Sequence, residues 1–470
     1  MKFLDRRREL DRLDAVANAG AAGLVAIWGR RRVGKTRLLV EWCGRHGGLY
    51  TVADQSAEPV QRRYLAEAVS QRLSGFNETE YDGWVPLLRR LSRDARTATW
   101  RGPLVLDEFP YLVAASPSLP SILQNWIDQE SATGGLLVAI AGSSQRMMQG
   151  AVLDAGAPLY GRAIEALALQ PLPAGWIGRA LGLPDAVSMV QAYAAWGGIP
   201  RYWELAQAFR DNLSRAVDHL VLDPLGPLHR EPDRLLLEEL PPAAALRPLL
   251  DVIGAGVHRL SEIGARLGQP ATSLTRPIGR LLDLGLVHRD VPFGESEKSS
   301  RRALYRISDP FVRFWFRVVA PQRAALASAS AAARLALWSR HADALTADAW
   351  EALCRSAVPG LSGAWERGSA SQAWLPARRW WHGREPEWDV VSVGADGRAF
   401  VAGEAKWSTA PLADRTVERL AGELQCRPLP PGLPVDTDRV LFVPATRSRM
   451  TATRSGVRIV TADAVMKALR

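Results

Sequence analysis

The chain has 470 residues, 47% of them hydrophobic and 23% charged, which excludes a disordered protein and predicts about three domains. A net charge of +10 and a pI near 9.9 indicate either a nucleic acid or other polyanionic partner, or only an Arg-rich composition. Three cysteines, Cys43, Cys354 and Cys426, lie far apart without a C-x-x-C pair, which excludes a disulfide framework and a cysteine-based zinc site.

The amino terminus, MKFLDRRREL, is charged from its fifth residue and lacks the apolar region of a secretory signal. Leucines at near-helical spacing predict an amphipathic helix over residues 3–17. No uninterrupted apolar run approaches the ~20 residues that span a bilayer. We therefore expect a cytoplasmic protein with no membrane partner.

Residues 27–39, IWGRRRVGKTRLL, predict a P-loop. Gly29, four further residues and then Gly34-Lys35-Thr36 match G-x-x-x-x-G-K-[ST], between an apolar strand at 24–28 and a helical run at 37–42. In such a loop the backbone N–H groups surround phosphate oxygens, Lys35 reaches the outer phosphates and Thr36 holds Mg²⁺. The sequence therefore predicts ATP as the ligand and Mg²⁺ as the cofactor. The predicted nucleotide contacts are Gly29, Arg32, Val33, Gly34, Lys35, Thr36 and Arg37.

A second strand at 49–53 and a helix at 60–73 continue an alternation that is typical of a parallel sheet with helices on both faces. The next strand, at 104–106, ends in Asp107-Glu108, a Walker B pattern. There the first carboxylate holds Mg²⁺ and the second orients or deprotonates the attacking water. Thr36 and Asp107 are thus the predicted metal-holding residues, and Glu108 and Lys35 are predicted to be catalytic.

Two polar residues follow the next apolar strand, at 135–142. Ser143, at the strand tip, is placed either to sense the outer phosphate or to cap the next helix. Arg162, in the run Leu159-Tyr160-Gly161-Arg162, either stabilises charge on the transferred phosphate or forms a surface salt bridge. We retain Arg162 as a catalytic candidate, and the sequence does not decide between action in its own subunit and action in a neighbour.

Residues 173–240 are helical and rich in Leu and Ala, and a Gly-Gly-Ile-Pro turn at 197–200 would fix one helix as a lid. Residues 246–305 have the order of a winged helix: helices at 249–253, at 262–267 with Ser261 as cap, and at 272–284, then strands at 286–289 and 303–307. Pro277 is expected either near the first turn of the third helix or at a kink in it. This segment either contacts DNA or is a plain interdomain spacer. Its cationic candidates are Arg276, Arg280, Arg289, Lys298, Arg301 and Arg302.

An aromatic run at 308–319 is predicted to be core, and an Ala-rich helical linker is predicted at 320–337. The last domain is expected from residue 345, with Trp350-Glu351 opening a helix. A strand at 390–393, a turn at Asp396-Gly397 and a return strand at 399–402 predict a hairpin. Later strands are predicted at 440–443 and 457–460.

The hairpin carries the D…[DE]-x-K constellation of a metal-dependent nuclease. Asp389 lies at the start of one strand, and period-two alternation puts Glu404 and Lys406 on one face at the end of the next. Carboxylates hold Mg²⁺ or Mn²⁺, and Lys406 can stabilise charge on a phosphate. Only five residues are lysine among 59 Lys plus Arg, which favours a functional Lys406. The predicted catalytic set is Glu351, Asp389, Glu404 and Lys406, with Asp389 and Glu404 as metal ligands; the alternative is a scaffold that does not cleave.

With GRRRVGKT, LVLDEF, LYGR, GGIPRYW, EKSSRRALYRISDPFVRFWF and EPEWDVV…GEAKW in this order, the chain resembles the archaeal-type AAA ATPases that bear a C-terminal PD-(D/E)XK nuclease-like domain. The resemblance covers essentially the full length. It implies an α/β fold with five parts: a P-loop, AAA+/STAND-like parallel-sheet ATPase domain over 1–172, a helical lid over 173–240, a winged helix over 241–320, a helical linker over 321–344 and a restriction-endonuclease-like α/β domain over 345–470.

Three functions are consistent with these patterns. The first is an ATPase that couples nucleotide state to a DNA-binding winged helix and a metal-dependent nuclease. The second is a nucleotide-controlled regulatory or assembly switch whose C-terminal domain does not cleave. The third is a chaperone-like or membrane-associated ATPase with protein partners. A homo-oligomer is left open by the sequence.

Overall fold

The structure, a computed structural model, describes residues 3–20, 22–133, 135–143, 145–239, 246–298, 300–361, 373–448 and 450–470. The described chain divides into two compact units, Phe3–Pro171 and Leu172–Arg470. Among the described residues, no helix is both long enough and apolar enough to cross a membrane.

A five-stranded sheet forms the centre of the first unit. Its strands are β1 (Gly23–Trp28), β2 (Leu49–Val52), β3 (Leu104–Asp107), β4 (Leu137–Gly142) and β5 (Ala163–Ala168). They lie in the order β2-β3-β4-β1-β5, and all neighbouring pairs are parallel. The inner strands are buried on both faces, as their unbroken apolar runs require. The predicted parallel α/β sheet is confirmed, and β5 is an additional edge strand in which buried and exposed residues alternate.

Helices cover both faces of this sheet. They are α1 (Arg7–Asn18), α2 (Lys35–His46), α3 (Glu58–Ser70), α4 (Trp84–Thr97), α5 (Phe109–Ala115), α6 (Leu119–Thr133) and α7 (Gln145–Met148). In α4 the residues Trp84, Leu87, Leu88 and Leu91 recur at helical spacing and are buried in one of the two cores that flank the sheet. The other core contains Leu10 and Leu13 of α1 and is continuous with the apolar side of α2.

The second unit begins with a helical segment. Its helices before the first hairpin are α8 (Ile177–Leu181), α9 (Ala186–Trp196), α10 (Pro200–Ala206), α11 (Leu213–Val217), α12 (Glu231–Glu239), α13 (Arg247–Gly254), α14 (Leu260–Leu267) and α15 (Thr275–Asp283). Gly197, with φ 59°, ends α9, and the indole of Trp203 donates to its carbonyl at 2.8 Å. This bond fixes the predicted turn between α9 and α10.

The segment from α13 onward has the expected element order. After α15 come strands β6 (Val287–Asp290) and β7 (Leu304–Ile307), which pair antiparallel. Pro277 lies in the first turn of α15, the first of its two expected outcomes, because α15 begins at Thr275 and not at Thr272. The prediction that Ser261 caps the second helix is wrong, because α14 begins one residue earlier, at Leu260, and its N-cap residue is Arg259. The proposed boundary between residues 240 and 241 lies outside the described residues.

The remaining helices are α16 (Pro310–Phe314), α17 (Arg323–Leu326), α18 (Ala331–Ala357), α19 (Asp414–Cys426) and α20 (Ala462–Ala468). Helix α18 corrects one prediction. Trp350 and Glu351 do not open a helix but lie inside this 27-residue one, which runs through the boundary proposed at residue 345. The hydroxyl of Ser330 caps its start by accepting from the Ala333 amide at 3.3 Å. The helix continues because its sequence contains no Gly or Pro and is rich in Ala.

A second five-stranded sheet lies near the carboxyl terminus. Its strands are β8 (Arg378–Trp380), β9 (Trp388–Val393), β10 (Phe400–Ala405), β11 (Asp438–Val443) and β12 (Arg458–Thr461). The order is β12-β11-β10-β9-β8, antiparallel from β8 to β10 and parallel from β10 to β12. This mixed sheet contains the predicted hairpin, with Asp396-Gly397 in its turn.

Candidate functional site

The loop between β1 and α2 has the backbone that the P-loop motif requires. Gly29 has φ 153°, and a Cβ there would lie 2.5 Å from the Leu169 carbonyl oxygen. Gly34 has φ 100° and lies directly before α2. Any side chain at either glycine would therefore strain the turn. Arg32, between them, also takes a left-handed conformation, with φ 66°.

Lys35 is the first residue of α2 and is buried. Its Nζ donates to the carbonyl of Gly29 at 2.8 Å and to that of Arg30 at 3.3 Å. The ammonium is thus held over the loop, next to the positive end of the helix dipole. A buried lysine with rotatable donors in this place can exchange carbonyl partners for phosphate oxygens.

Asp107, at the end of β3, joins the two Walker motifs. Its side chain is only 1% exposed. Oδ2 accepts from the Thr36 hydroxyl at 3.0 Å and from the Tyr50 hydroxyl at 2.7 Å, and Oδ1 accepts from the Glu108 amide at 2.8 Å. Burial raises the pKa of Tyr50, and the hydrogen bond to Asp107 raises that pKa further, so the phenol stays a proton donor.

Glu108 and Ser143 meet at the same edge of the sheet. Glu108 is the residue directly before α5 and takes a left-handed conformation, with φ 51°. Its Oε2 accepts from the Ser143 hydroxyl at 2.9 Å. Ser143 therefore contacts the predicted catalytic carboxylate. Neither prediction for Ser143, as a phosphate sensor or as a helix cap, included this contact. Its neighbour Ser144 lies outside the described residues.

Arg162 lies at the amino-terminal ends of the strands, whereas the P-loop lies at their carboxyl ends. Arg162 directly precedes β5, whose first residue pairs with Leu24 near the start of β1, whereas the P-loop follows the end of β1. About five residues of strand, or roughly 15 Å, separate the two ends. The guanidinium forms a two-pronged bond to Asp128, at 2.9 and 3.1 Å. The structure thus gives Arg162 the salt-bridge role within its own chain; a role in a neighbouring subunit stays a prediction.

Arg6 was not identified from the sequence, although it holds the P-loop. It is 4% exposed and has φ 69°. Its Nη2 donates to the carbonyls of Val33 at 2.9 Å and of Gln170 at 2.7 Å, and its Nη1 binds Glu9. Nothing in the run of arginines at residues 6–8 distinguishes it, because its partners lie far along the chain.

These residues fit ATP with Mg²⁺. The glycines leave room for close approach to the backbone, Lys35 supplies a mobile ammonium, and Thr36 with Asp107 supplies the oxygen donors that Mg²⁺ prefers. The predicted contacts with nucleotide stay predictions for all seven residues, which are Gly29, Arg32, Val33, Gly34, Lys35, Thr36 and Arg37.

The carboxyl-terminal candidates lie together. Asp389 on β9 and Glu404 on β10 are opposite each other in the antiparallel register, so both side chains point to one face. Asp389 Oδ2 accepts from the Ala405 amide at 3.0 Å. Burial raises the pKa of Asp389, and the charge of Glu404 raises it further. Burial and the charge of Asp389 likewise raise the pKa of Glu351 on α18.

Cations surround these acids. Glu404 is 8% exposed; one oxygen pairs with Lys406 Nζ and the other with Arg427 Nη1. Arg427 also donates to the Glu387 carbonyl at 2.7 Å and lies over the Trp388 ring. Arg427 was not predicted, because it lies outside the D…[DE]-x-K pattern. Arg355 and Arg379 are each 3.9 Å from Glu351.

As arranged, this cluster does not fit a divalent cation. Both oxygens of Glu404 are already paired with cations. Across the described ranges, no group of three or more His, Cys, Asp or Glu side chains could hold a metal ion. The predicted Mg²⁺ or Mn²⁺ site at Asp389 and Glu404 is therefore not supported, and we derive no step through a metal there.

The segment between β6 and β7 packs against β8. The Phe293 amide donates to the Arg379 carbonyl at 2.8 Å, and Arg302 donates to the Trp381 carbonyl at 3.3 Å and pairs with Glu295. Arg289 is likewise held, by two carbonyls of the same segment. Of the predicted DNA-contacting cations, those that are exposed are Arg276, Lys298 and Arg301.

Comparisons with known proteins agree with this architecture. Residues 3–204 match the model of a family described as an ATPase domain predominantly from Archaea. Residues 315–420 match a family of archaeal and bacterial proteins of unknown function. An uncharacterized protein of Methanocaldococcus jannaschii is 26% identical over 432 residues, which cover 90% of this chain and 91% of the relative.

Among solved structures, the Walker-type ATPase of Pyrococcus abyssi is similar, with a TM-score of 0.52 and 18% identity over 67% of this chain and 96% of that one. The ORC2 protein of Aeropyrum pernix has a TM-score of 0.47 and 15% identity over 69% of this chain and 96% of that one. At 18% identity, the likeness to the Pyrococcus abyssi ATPase is one of fold. Residues 3–204 are therefore similar to an ATPase domain described as predominantly archaeal, and the parallel five-stranded sheet of the first unit is typical of P-loop ATPases.

Proposed function

We propose that this protein binds ATP with Mg²⁺ and hydrolyses it at the P-loop of its first unit. The observation that carries the proposal is the hydrogen bond between Thr36 and the buried Asp107, which joins the loop to the end of β3. Bound Mg²⁺ would neutralise charge on the phosphates during transfer. Thr36 would hold it directly and Asp107 through water.

The other residues have separate roles in the proposed reaction. Lys35 Nζ would leave the carbonyls of Gly29 and Arg30 and bind the outer phosphates. Glu108 would orient the attacking water and accept its proton, and the Ser143 hydroxyl would fix the direction of that carboxylate. Arg6 would keep the loop in shape through the Val33 carbonyl.

The test compares three single substitutions in the full chain. Lys35→Ala is expected to remove ATP binding, measured with a fluorescent ATP analogue. Glu108→Gln is expected to leave the affinity within about threefold but to lower kcat by about a hundredfold or more, because a general base is lost. Lys298→Ala, at an exposed lysine, is the matched control. ATP hydrolysis by Lys35→Ala at the rate of the unsubstituted protein would contradict the proposal.

As a second candidate function, we propose that the segment from α13 to β7 forms a DNA-binding winged helix and that the second sheet, β8 to β12, belongs to a nuclease-like domain that does not cleave. The order α13, α14, α15, β6 and β7 and the exposed Arg276 support the first part. The pairing of Glu404 with Arg427 supports the second. Nucleotide state would control the DNA contact, so Lys35→Ala should remove any difference in DNA affinity between ATP and no nucleotide.

A further inference from the structure

Tyr50 belongs to neither Walker motif, yet it contacts the proposed Mg²⁺-site carboxylate. It lies half-buried on β2, opposite Val105 in the register with β3. Its ring follows the sheet toward the end of β3, where the hydroxyl donates to Asp107 Oδ2 at 2.7 Å. The same oxygen accepts from Thr36 at 3.0 Å. The phenol thus shares one carboxylate oxygen with the P-loop hydroxyl.

The second Asp107 oxygen is also occupied, because Oδ1 accepts from the Glu108 amide at 2.8 Å. A carboxylate oxygen offers two lone-pair positions, so Thr36 and Tyr50 together fill those of Oδ2. A metal would bind a lone pair of the Thr36 hydroxyl oxygen, so the O–H could still donate to Asp107 Oδ2. The bonds from Tyr50 and from the Glu108 amide can persist and keep the carboxylate in place.

We infer that Tyr50 is a positioning residue that holds Asp107 toward Thr36 and thereby sets how strongly Mg²⁺ tightens ATP binding. The inference rests on the proposed ATP site. A phenol with only a packing role would affect stability and leave the dependence of ATP affinity on Mg²⁺ unchanged.

The decisive quantity is the ratio of the mant-ATP Kd in EDTA to the Kd in saturating Mg²⁺. Tyr50→Phe keeps the ring and removes only the hydroxyl. We expect its Kd in EDTA to stay within about twofold and the ratio to fall roughly three- to tenfold, the effect of losing one ordinary hydrogen bond. Tyr64→Phe, at a tyrosine that is 38% exposed on α3, is the matched control and should leave the ratio unchanged.

A second pair of variants tests whether the effect passes through Asp107. In an Asp107→Asn background, Tyr50→Phe should lower the ratio no further, because the carboxylate that it positions is gone. An equal fall in both backgrounds, or an unchanged ratio in Tyr50→Phe alone, would overturn the inference. Absence of mant-ATP binding by the unsubstituted protein would instead overturn the proposed function, so the two failures are distinguishable.

Discussion

Glu404 is a buried carboxylate whose two oxygens are each paired with a cation. Removing water from a carboxylate is costly, and only close partners compensate for that cost. Lys406 binds one oxygen from the exposed side, while the less exposed Arg427 binds the other and is itself fixed over Trp388. Both oxygens of Glu404, a predicted metal ligand, are therefore occupied by cationic side chains.

Substitution of Arg427 by Gln should destabilise the second unit. One oxygen of Glu404 would stay buried without its charged partner, and we expect a loss of about 2 kcal/mol, below the usual range for fully buried pairs because Arg427 is partly exposed. Urea unfolding followed by tryptophan fluorescence measures it. The control is Arg419→Gln, which removes an exposed pair with Glu423 and should cost less than about 0.5 kcal/mol. Equal stability of the two variants would show that Arg427 does not compensate for the burial of Glu404.

At the scale of single residues, the sequence predicts a contact when both partners belong to known motifs. Thr36 and Asp107 are 71 residues apart, but each belongs to a Walker pattern, so their meeting is predictable. Tyr50 is 57 residues from Asp107, and Arg6 is 27 residues from Val33, and neither belongs to a pattern. Contacts of this kind depend on how the strands are ordered, which no local spacing encodes.

At the scale of elements, the loop before α14 is joined to the hairpin by a histidine. His258 Nδ1 lies 3.1 Å from the Tyr305 carbonyl on β7, and the Tyr305 amide donates to the His258 carbonyl at 2.8 Å. Burial, and then the charges of Arg306 and Arg313, lower the pKa of His258 from 6.5 to about 4, against the opposite effect of the carbonyl bond and of Asp348. The folded protein thus favours the neutral ring.

The second unit should therefore lose stability in mild acid. Between about pH 6.5 and about pH 4, His258 binds a proton in the unfolded chain but not in the folded protein. The contribution of the neutral His258 to the free energy of unfolding is therefore fully present above about pH 6.5 and is lost as the pH falls toward about 4. From about pH 7.5 to about pH 5 we expect a loss on the order of 1 kcal/mol, a figure reduced because the ring is partly exposed. Unfolding midpoints across this range measure it.

His258→Gln should flatten that dependence, since the amide does not titrate, whereas His382→Gln, at an exposed histidine, should not. A decline in His258→Gln as steep as in the unsubstituted protein would assign the acid sensitivity to other groups.

Element prediction failed where composition is uniform. Residues 320–337 and the start of the proposed last domain are both helix-favouring, so nothing in the local sequence marks a boundary, and α18 runs through residue 345. Strands β9 and β10 were predictable because a turn of defined chemistry, Asp396-Gly397, separates two apolar runs. Edge strand β5 was not, because Glu165 lies on its buried face and Ile164 on its exposed face, so the sequence lacks the alternation of apolar and polar residues that predicts a strand.

At the scale of the whole molecule, the parallel sheet was predictable from the alternation of strands and helices. The sequence did not predict which of the excess cationic side chains are engaged in contacts within the protein. The net charge is +10, but ion pairs and carbonyl contacts occupy many arginines. Arg302 and Arg289, which sequence alone grouped with the exposed cations, hold the hairpin segment in place. Net charge therefore overstates the surface that is available to DNA.

This distinction gives a prediction for the proposed DNA contact. Each phosphate contact contributes about −0.9 to the slope of log affinity against log salt, so Arg276→Gln should weaken binding to unrelated duplexes alike and make the slope less steep by about 1. Arg302→Gln, whose guanidinium is held by Glu295 and the Trp381 carbonyl, is the matched control and should leave the slope unchanged. Fluorescence anisotropy at several salt concentrations measures both.

The same protein, incubated with supercoiled plasmid and Mn²⁺, should bind the DNA and leave it intact, because Lys406 and Arg427 pair with Glu404. Nicking that requires Mn²⁺ and is lost in Lys406→Ala would reinstate a metal nuclease and mean that Arg427 moves away from Glu404 when metal and DNA bind. If the salt slope is the same in Arg276→Gln and in the unsubstituted protein, α15 does not contact DNA. Neither result would bear on the proposed ATP site in the first unit.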